Sequence, residues 1–252
     1  MKLRYVTCSD PREHNSVKSI IDLAKMPHAE IAVQCHPSKM SPNMPRNVWF
    51  EDLLKEVIQL PRINLALHIN SEWANDICVN GKLPYPLSAW FKVENKREKP
   101  VVQRVQLNMP KETADNINIK YVAKIIHLYD DKEFIFQYND KTRTAIQKLH
   151  DADIKFSLLF DASGGRGVAP KSWEKPIYEA HPMGYSGGMS PDNVIGNLRQ
   201  INEILPNDYP TWIDAEGKLK SNDLFDEKSK FDTELARAYI ARANMWMKEK
   251  QR

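Results

Sequence analysis

The 252-residue sequence predicts an α/β fold, the (β/α)8 or TIM barrel, on three observations. Eight short apolar stretches end in polar loops, which is typical of strands with buried faces. Segments of helical length, with apolar residues at three- and four-residue spacing, separate most of these strands. The chain also has the length of one such barrel, roughly 250 residues. We therefore expect residues 1–252 to form a single barrel domain.

The individual strands and main helices follow from these patterns in chain order. Two helices have start signals, because Ser190 precedes a proline at a first helical position and Asp232 can cap the last helix. The predicted strands are Leu3–Thr7, Ile31–Gln34, Asn64–Ile69, Val101–Leu107, Glu133–Gln137, Phe156–Phe160, Met183–Ser186 and Thr211–Asp214. The predicted helices are Ser16–Lys25, Phe50–Gln59, Thr113–Leu128, Thr142–Asp151, Asn193–Leu205 and Phe231–Lys250.

A doubly wound open sheet is the alternative arrangement of alternating strands and helices. Its glycine-rich turn should follow the first strand, but residues 7–11 read Thr-Cys-Ser-Asp-Pro, so the barrel is favoured. The connection between strands three and four is longer than a minimal one, and we expect an insertion at about residues 71–100. Its four aromatic residues favour a cap with its own apolar cluster over a substrate lid.

Composition and charge exclude several classes of protein. The chain has 36 Lys plus Arg against 33 Asp plus Glu, and a net charge of +3 is too small to indicate nucleic acid or an anionic membrane as a partner. No apolar run reaches the roughly 18 residues of a membrane span, and the first ten residues become polar too early for a signal peptide. Three cysteines without Cys-x-x-Cys spacing indicate neither disulfides nor a zinc ribbon. We expect a cytoplasmic protein, whose oligomeric state the sequence does not give.

The glycines are concentrated in one part of the chain. Eight of the nine lie between Gly164 and Gly217. Glycine is needed where the backbone takes positive φ or where a ligand approaches it closely. This concentration predicts a binding site in that part of the chain, whereas ordinary turns would give a more even spread.

The loops after strands seven and eight predict a phosphate site. Barrel active sites lie at the carboxyl ends of the strands, and a phosphate commonly binds these two loops. Gly187 and Gly188 follow strand seven shortly before a helix, and Gly217 follows strand eight. Free backbone N–H groups and the positive end of a helix dipole attract anions. We therefore expect a phosphorylated small molecule as substrate.

Two residues at strand ends are candidates for acid–base chemistry. Asp161 ends the apolar sixth strand, where partial burial would suit it to act as a general acid, although it could instead cap the glycine loop that follows. Cys8 ends strand one, where we expect it to face the barrel mouth. There an electropositive rim would favour its thiolate; inert packing is the alternative.

Three motifs in this order resemble phosphoribosylanthranilate isomerase. They are Cys8 after strand one, Leu-Phe-Asp-Ala with Gly-Gly-Arg-Gly over residues 159–167, and Ser-Gly-Gly-Met-Ser-Pro-Asp-Asn-Val over residues 186–194. Further agreements are Pro45–Val48, Leu67–Asn70, Val105–Leu107 and Trp173. The resemblance touches seven of the eight strands, and the motifs after strands six and seven are the specific ones.

The resemblance implies an aldose–ketose isomerase of tryptophan biosynthesis. Its reaction would be the Amadori rearrangement of a phosphoribosyl amine, with neither a metal nor an organic cofactor. If the roles of the family's residues apply to the matching positions here, Asp161 would protonate the ribose ring oxygen, Cys8 would remove the C2 proton, and Arg46 would bind the substrate carboxylate. The resemblance also implies that Gly165, Gly187, Gly188 and Gly217 contact the substrate, chiefly at its phosphate.

Some residues depart from the family pattern and indicate a diverged member. Ser9 stands where a glycine usually follows the cysteine, Asn108-Met109 replaces His-Gly, and Ala215-Glu216 replaces Ser-Ser. A carboxylate at Glu216 disfavours a neighbouring phosphate unless it turns away or pairs with a cation such as Lys218.

Other functions remain as alternatives to this isomerase. The chain could isomerise or epimerise another phosphorylated sugar, or it could be a barrel that binds a phosphorylated metabolite without catalysis. A metal site built from Cys35, His36 and His68 is possible on adjacent strands, but single histidines inside barrels are more common. A Schiff-base aldolase is disfavoured because no predicted barrel strand ends in lysine.

Overall fold

The strands of the chain form a closed parallel barrel. The computed structural model describes residues 1–61, 63–162, 167–221 and 229–250. Neighbours in the barrel follow the sequence order, from β1 to β8. The predicted (β/α)8 barrel is therefore confirmed. The strands are β1 (Lys2–Ser9), β2 (Ala29–Cys35), β3 (Leu65–Asn70), β4 (Val102–Asn108), β5 (Glu133–Tyr138), β6 (Ser157–Phe160), β7 (Met183–Ser186) and β8 (Pro210–Ala215).

Helices fill most of the connections between the strands. No helix in the described ranges is long and apolar enough to cross a membrane. A 3-10 turn covers Gly217–Leu219. The α-helices of the described residues are α1 (Val17–Ala24), α2 (Pro37–Met40), α3 (Pro45–Ile58), α4 (Ser71–Cys78), α5 (Tyr85–Trp90), α6 (Lys111–Asp115), α7 (Ile119–Leu128), α8 (Arg143–Asp151), α9 (Val194–Ile204) and α10 (Thr233–Lys250).

Local signals at the helix ends explain where the helices depart from the sequence patterns. Helix α3 begins five residues earlier than predicted because Pro45 suits the first helical position. The helix predicted over 113–128 is two helices, and Asn118 caps the second. The predicted cap at Ser190 is wrong, since α9 is preceded by Asn193. Asp232 does cap the last helix, because its Oδ1 accepts from the amide of Glu234 at 2.8 Å.

The chain divides into two compact units. The terminal unit contains Met1–Ile31 and Leu158–Arg252, and the central unit contains Ala32–Ser157. In the terminal unit, β8 pairs with β1 and β7, and β7 also pairs with β6. In the central unit, β4 pairs with both β3 and β5.

The strands of the terminal unit have two chemically different faces. Thr7 lies opposite Asp214, and Cys8 lies opposite Ala215. Because successive side chains point to opposite faces of a strand, these pairs belong to different faces. We call the first the polar face; it carries Thr7, Ser9, Ser186 and Asp214. We call the second the packing face; it carries Val6, Cys8, Phe160, Tyr185, Ile213 and Ala215.

Gly184 of β7 is required by the close approach of Trp212 of β8. A Cβ atom at this position would lie 2.1 Å from the indole ring. Trp212 is itself fully buried, so the ring has little room to move. We therefore expect Gly184→Ala to lower the free energy of unfolding by about 3 kcal/mol through overpacking.

Denaturant unfolding of the purified variants measures this effect. Gly196→Ala is the matched control, because a Cβ in this helical position meets no atom within 4 Å. The control should be stabilised by roughly 0.5–1 kcal/mol, since alanine is the better helix former. Equal stabilities of the two variants would contradict the close approach of Trp212.

In the central unit, the segment between β3 and β4 contains α4 and α5. Trp90 of α5 packs edge-on against Phe50 of α3, with ring centroids 4.9 Å apart, and against Trp73 of α4 at 6.3 Å. Phe91 contacts Phe134 of β5 at 6.4 Å. Three aromatic residues of this segment thus pack against α3, α4 and the barrel wall, whereas the fourth, Tyr85, is 80% exposed.

Candidate active site

Cys8 does not occupy the position that the sequence analysis expected. It lies on the packing face and is completely buried. Its neighbours Thr7 and Ser9 lie on the polar face, where Thr7 Oγ1 donates to Glu30 Oε1 at 2.7 Å and Ser9 Oγ donates to Asp214 Oδ1 at 2.6 Å. The expectation that Cys8 faces the barrel mouth is wrong, because strand alternation places it with the apolar residues.

The surroundings of Cys8 also oppose the formation of a thiolate. Burial raises the pKa of Cys8 well above its usual value, and the nearby carboxylates of Asp214 and Glu30 raise it further. The hydroxyl of Tyr239 in α10 is buried too, and its pKa is raised by burial and by the charges of Cys8 and Asp214. The expected electropositive rim is therefore replaced at Cys8 by anionic and phenolic groups, which do not suit a general base.

Asp161 directly follows β6 and is 4% exposed. Phe160, the residue before it, lies opposite Tyr185 on the packing face. Alternation continued one residue past the end of β6 predicts that Asp161 lies on the polar face, the face that carries Ser186 and its strand partner Asp214. The polar face thus has Glu30 of β2 beside Thr7, Asp214 on β8 and, by this extension, Asp161 after β6, with Ser186 of β7 between the last two.

Asp214 is a candidate that the sequence analysis missed. It is 6% exposed, and its Oδ1 accepts the short hydrogen bond from Ser9. The signal was present, because Asp214 is an acid at the end of an apolar strand, as Asp161 is. Similarly, the alternation of Val6 and Cys8 with Thr7 and Ser9 already indicated that the cysteine shares the apolar face.

The glycine pair after β7 adopts backbone conformations that other residues rarely take. Gly187 has a φ of +123° and Gly188 a φ of +60°. A Cβ on Gly187 would lie 2.9 Å from the carbonyl oxygen of Val168, and one on Gly188 would lie 2.8 Å from the amide nitrogen of Ala169. The close approach of residues 168–169 thus accounts for both glycines without a ligand, and their phosphate-binding role stays a prediction.

Asn193 fixes the end of this turn just before α9. Its Oδ1 accepts from the amide of Ser190 at 2.8 Å, and its Nδ2 donates to the carbonyl of Gly188 at 2.9 Å. Arg242 of α10 donates to the carbonyl of Pro191 at 2.6 Å. The glycine turn and the amino end of α9 are therefore held in a defined conformation.

Four charged residues after β1 and β8 form what we call the charge cluster. Lys220 Nζ lies 2.9 Å from Asp10 Oδ2 and 3.0 Å from Glu216 Oε1. Arg12 donates to the same Asp10 oxygen through Nε at 2.9 Å and also through Nη2. Lys220 and Asp10 are both buried, whereas Glu216 is partly exposed. Asp10 has a φ of +73°, so the ion pairs hold it in a left-handed conformation.

Glu216 is paired, but not with the cation that the sequence suggested. Its partner is Lys220 rather than Lys218. Burial and the neighbouring Asp10 raise the pKa of Glu216, while Lys220 and Arg12 act in the opposite direction. Gly217, the third predicted phosphate contact, begins the 3-10 turn directly after Glu216.

The remaining two predicted site residues lie in different places. Gly165 lies outside the described residues. Arg46 belongs to the central unit, where it is the second residue of α3 and 8% exposed. Its charge partly offsets the burial that raises the pKa of Cys35 at the end of β2. The structure therefore places Arg46 near the carboxyl end of a strand, and its role toward a substrate carboxylate stays a prediction.

In the central unit, uncharged polar side chains link the ends of β2, β3 and β4 in what we call the amide ladder. Gln106 donates to Asn108 at 2.9 Å, Asn108 to Asn70 at 2.8 Å, and Asn70 to Gln34 at 2.6 Å. Gln34 Nε2 lies 3.4 Å from Nδ1 of His68. Several of these residues belong to the segments that resemble the isomerase family, and hydrogen bonds join them across the strands.

The histidine and cysteine residues considered for a metal have other contacts. His68 meets Gln34, His36 meets Ser71 and Ser38, and Cys35 lies beside the carbonyl of Val33 at 3.6 Å. In the parts of the chain that the structure describes, no group of three or more His, Cys, Asp or Glu side chains could hold a metal ion.

Comparisons with known proteins support the architecture. No protein-family model and no curated protein sequence matches the chain. The crystal structure of 3-hexulose-6-phosphate synthase from Salmonella typhimurium is similar, with a TM-score of 0.51 and 8% sequence identity. The match covers 96% of this chain and 99% of that one. At this identity the similarity shows the fold alone, and the fold it shows is the closed eight-stranded β/α barrel described above.

Proposed function

We propose that the chain is an enzyme that isomerises a phosphorylated sugar or sugar amine by general acid–base catalysis. The observation that carries this proposal is the pair of carboxylates, Asp161 and Asp214, on the polar face of the terminal unit with Ser186 between them. Two carboxylates held at the ends of strands on either side of β7 are suited to donating one proton and removing another. The similar solved structure is that of a synthase named for a phosphorylated hexulose, which is compatible with such a substrate class.

In this proposal Asp161 is the general acid, as the sequence analysis expected, and Asp214 replaces Cys8 as the base. Asp161 donates a proton to the ring or carbonyl oxygen of the sugar, and Asp214 removes the proton from C2. Asp214 returns a proton to C1 of the resulting enediol or enolamine while the hydroxyl at C2 gives its proton to Asp161, which completes the aldose-to-ketose conversion and restores both carboxyl groups. Ser9 supports this role of Asp214, because its hydrogen bond to Oδ1 orients the carboxylate.

The phosphate group would bind at the turn formed by Gly187 and Gly188. Both residues have positive φ, and the turn leads into the amino end of α9. Backbone amides in such a turn and at a helix start attract anions. Gly217 directly follows Glu216 of the charge cluster, which contains as many carboxylates as cations and so offers no net positive charge to a phosphate. Gly217 is therefore the weaker candidate for the phosphate contact.

The proposal can be tested by hydrogen exchange at C2 of candidate substrates. The purified chain is incubated in deuterated buffer with phosphoribosylanthranilate and with a panel of pentose and hexose phosphates, and NMR follows deuterium that enters C1 of the ketose product or C2 of the recovered aldose. We expect enzyme-dependent exchange in at least one phosphorylated compound and none in its dephosphorylated form. Exchange in phosphoribosylanthranilate alone would assign the activity that the sequence resemblance implies. No exchange in any compound, with correctly folded protein, would contradict acid–base isomerisation.

A further inference from the structure

A serine and a histidine of the central unit are in direct contact at the carboxyl ends of β2 and β3. Ser71 directly follows β3, and His36 directly follows β2. Ser71 Oγ lies 3.0 Å from His36 Nε2, and both side chains are partly buried. Barrel enzymes carry their reactive groups at this end of the strands. This pair is not used by the function proposed above.

The backbone around Ser71 has the features of a nucleophile turn. Ser71 has a φ of +52°, a left-handed conformation that a serine rarely adopts, and it joins β3 directly to α4. A strained strand-to-helix turn of this kind exposes a nucleophile above the sheet. Its hydroxyl lies at the amino end of α4, where helix amides and the helix dipole stabilise negative charge.

The residue that would normally cap α4 is occupied elsewhere. Asn70 precedes the helix but makes no side-chain capping hydrogen bond to it. Its Nδ2 donates to Gln34, and its Oδ1 accepts from Asn108, both in the amide ladder. The first amides of α4, which have no acceptor within the helix, are therefore not capped by Asn70 and can bind an oxyanion.

His36 has a partner on its second ring nitrogen. Nδ1 lies 2.9 Å from Ser38 Oγ and accepts from the Ser38 amide at 3.3 Å. When Nδ1–H donates to Ser38 Oγ, Nε2 carries its lone pair toward Ser71. The longer contact to the Ser38 amide is then lost, at little cost because Ser38 is exposed and water can accept from that amide.

We propose that Ser71 and His36 form a nucleophile–base pair that hydrolyses small polar carboxylic esters. Ser71 Oγ attacks the carbonyl carbon while its proton passes to His36 Nε2. The bond from that carbon to the alcohol oxygen breaks, and the leaving alcohol takes the proton from His36. Water then attacks the acyl-Ser71 ester by the same route, which releases the acid and restores the serine. The uncharged amide ladder beside Ser71 favours a short polar acyl group over a long apolar one.

The test combines covalent labelling with ester hydrolysis. The full chain is treated with a fluorophosphonate, in which the oxygen of a reactive serine attacks phosphorus and displaces fluoride, and the labelled peptide is found by mass spectrometry. Hydrolysis of p-nitrophenyl acetate is measured in parallel. We expect labelling at Ser71, and an about 100-fold lower hydrolysis rate in Ser71→Ala and in His36→Asn. His36→Asn should keep the start of α2 intact, because the Asn Oδ1 can accept from the Ser38 amide.

Two further variants separate the proposed role from effects on folding. Ser88→Ala removes a hydroxyl that donates to the carbonyl of Tyr85 in the same helix, and it should leave labelling and hydrolysis unchanged. Ser71→Gly should abolish both and yet raise Tm by about 2–4 °C, since glycine adopts the left-handed conformation without strain. Labelling at another residue, or hydrolysis by folded Ser71→Ala at the wild-type rate, would overturn the proposal. The proposal would also be overturned if the wild-type protein took no label and hydrolysed p-nitrophenyl acetate no faster than Ser71→Ala does.

Discussion

Asp214→Asn and Asp161→Asn are each expected to lower kcat/KM for C2 proton exchange by about 10²–10⁴-fold, the usual contribution of a positioned acid or base. Asparagine keeps the size of the side chain, and at position 214 its carbonyl oxygen can still accept the hydrogen bond from Ser9. The loss should therefore come from the missing proton transfer and not from a changed fold. The exchange assay measures it, and circular dichroism confirms that the variants are folded.

Cys8→Ala is the matched control for these two substitutions. Because Cys8 is buried on the packing face, the variant should keep kcat/KM within about tenfold of wild type and lose only about 1–2 kcal/mol of stability from a small cavity. The sequence resemblance predicts the opposite, since it makes Cys8 the base. If folded Cys8→Ala lost hydrogen exchange on the substrate while Asp214→Asn retained it, Cys8 and not Asp214 would be the general base.

The fold was predictable because the barrel strands carry apolar side chains in short, regularly spaced runs. All eight predicted strands overlap the observed ones, and β7 has the same limits in both. Helix boundaries were less accurate, since they depend on single capping groups such as Asn118 and Asp232. Apolar patterning indicates which elements form, whereas one hydrogen bond decides where an element starts.

The candidate site was less predictable, because a shift of one residue moves a side chain to the other face of a strand. Cys8 stands at the expected end of β1 but on the packing face, while Ser9, read only as a departure from a family pattern, contacts Asp214. The pairing of Lys220 with Asp10 joins residues that are 210 positions apart, which no local pattern reveals. Strand ends could be located from the sequence, but the partners across strands could not.

Lys220→Met is expected to lower the free energy of unfolding at neutral pH by about 3–5 kcal/mol, the cost of leaving a buried charge without its partner. The Lys220 side chain is 3% exposed and that of Asp10 is 2% exposed. Methionine fills a similar volume, so the loss should report the missing charge. Arg12 still pairs with Asp10, which places the expected value toward the lower end of this range. Denaturant unfolding measures it.

The exposed pair of Lys111 and Asp115 offers a matched control for the charge cluster. These side chains are 66% and 52% exposed, and Lys111→Met should change stability by less than about 1 kcal/mol because water screens the pair. A similar effect in both variants would contradict a specific role of the buried cluster.

The pH dependence of Lys220→Met should identify the contribution of Glu216. The pKa of Glu216 is raised in the folded protein, so the folded state binds this proton more tightly than the unfolded state does. Its ionisation therefore costs stability as pH rises from the unfolded to the folded pKa, and costs nothing below that window. Without Lys220, which acts against this rise, the folded pKa of Glu216 moves further up. The stability deficit of the variant should consequently grow as pH rises through the window between the unfolded and the folded pKa of Glu216, because below that window a protonated Glu216 no longer repels Asp10. A deficit that is constant or grows toward low pH would show that Glu216 takes no part in the cluster's electrostatics.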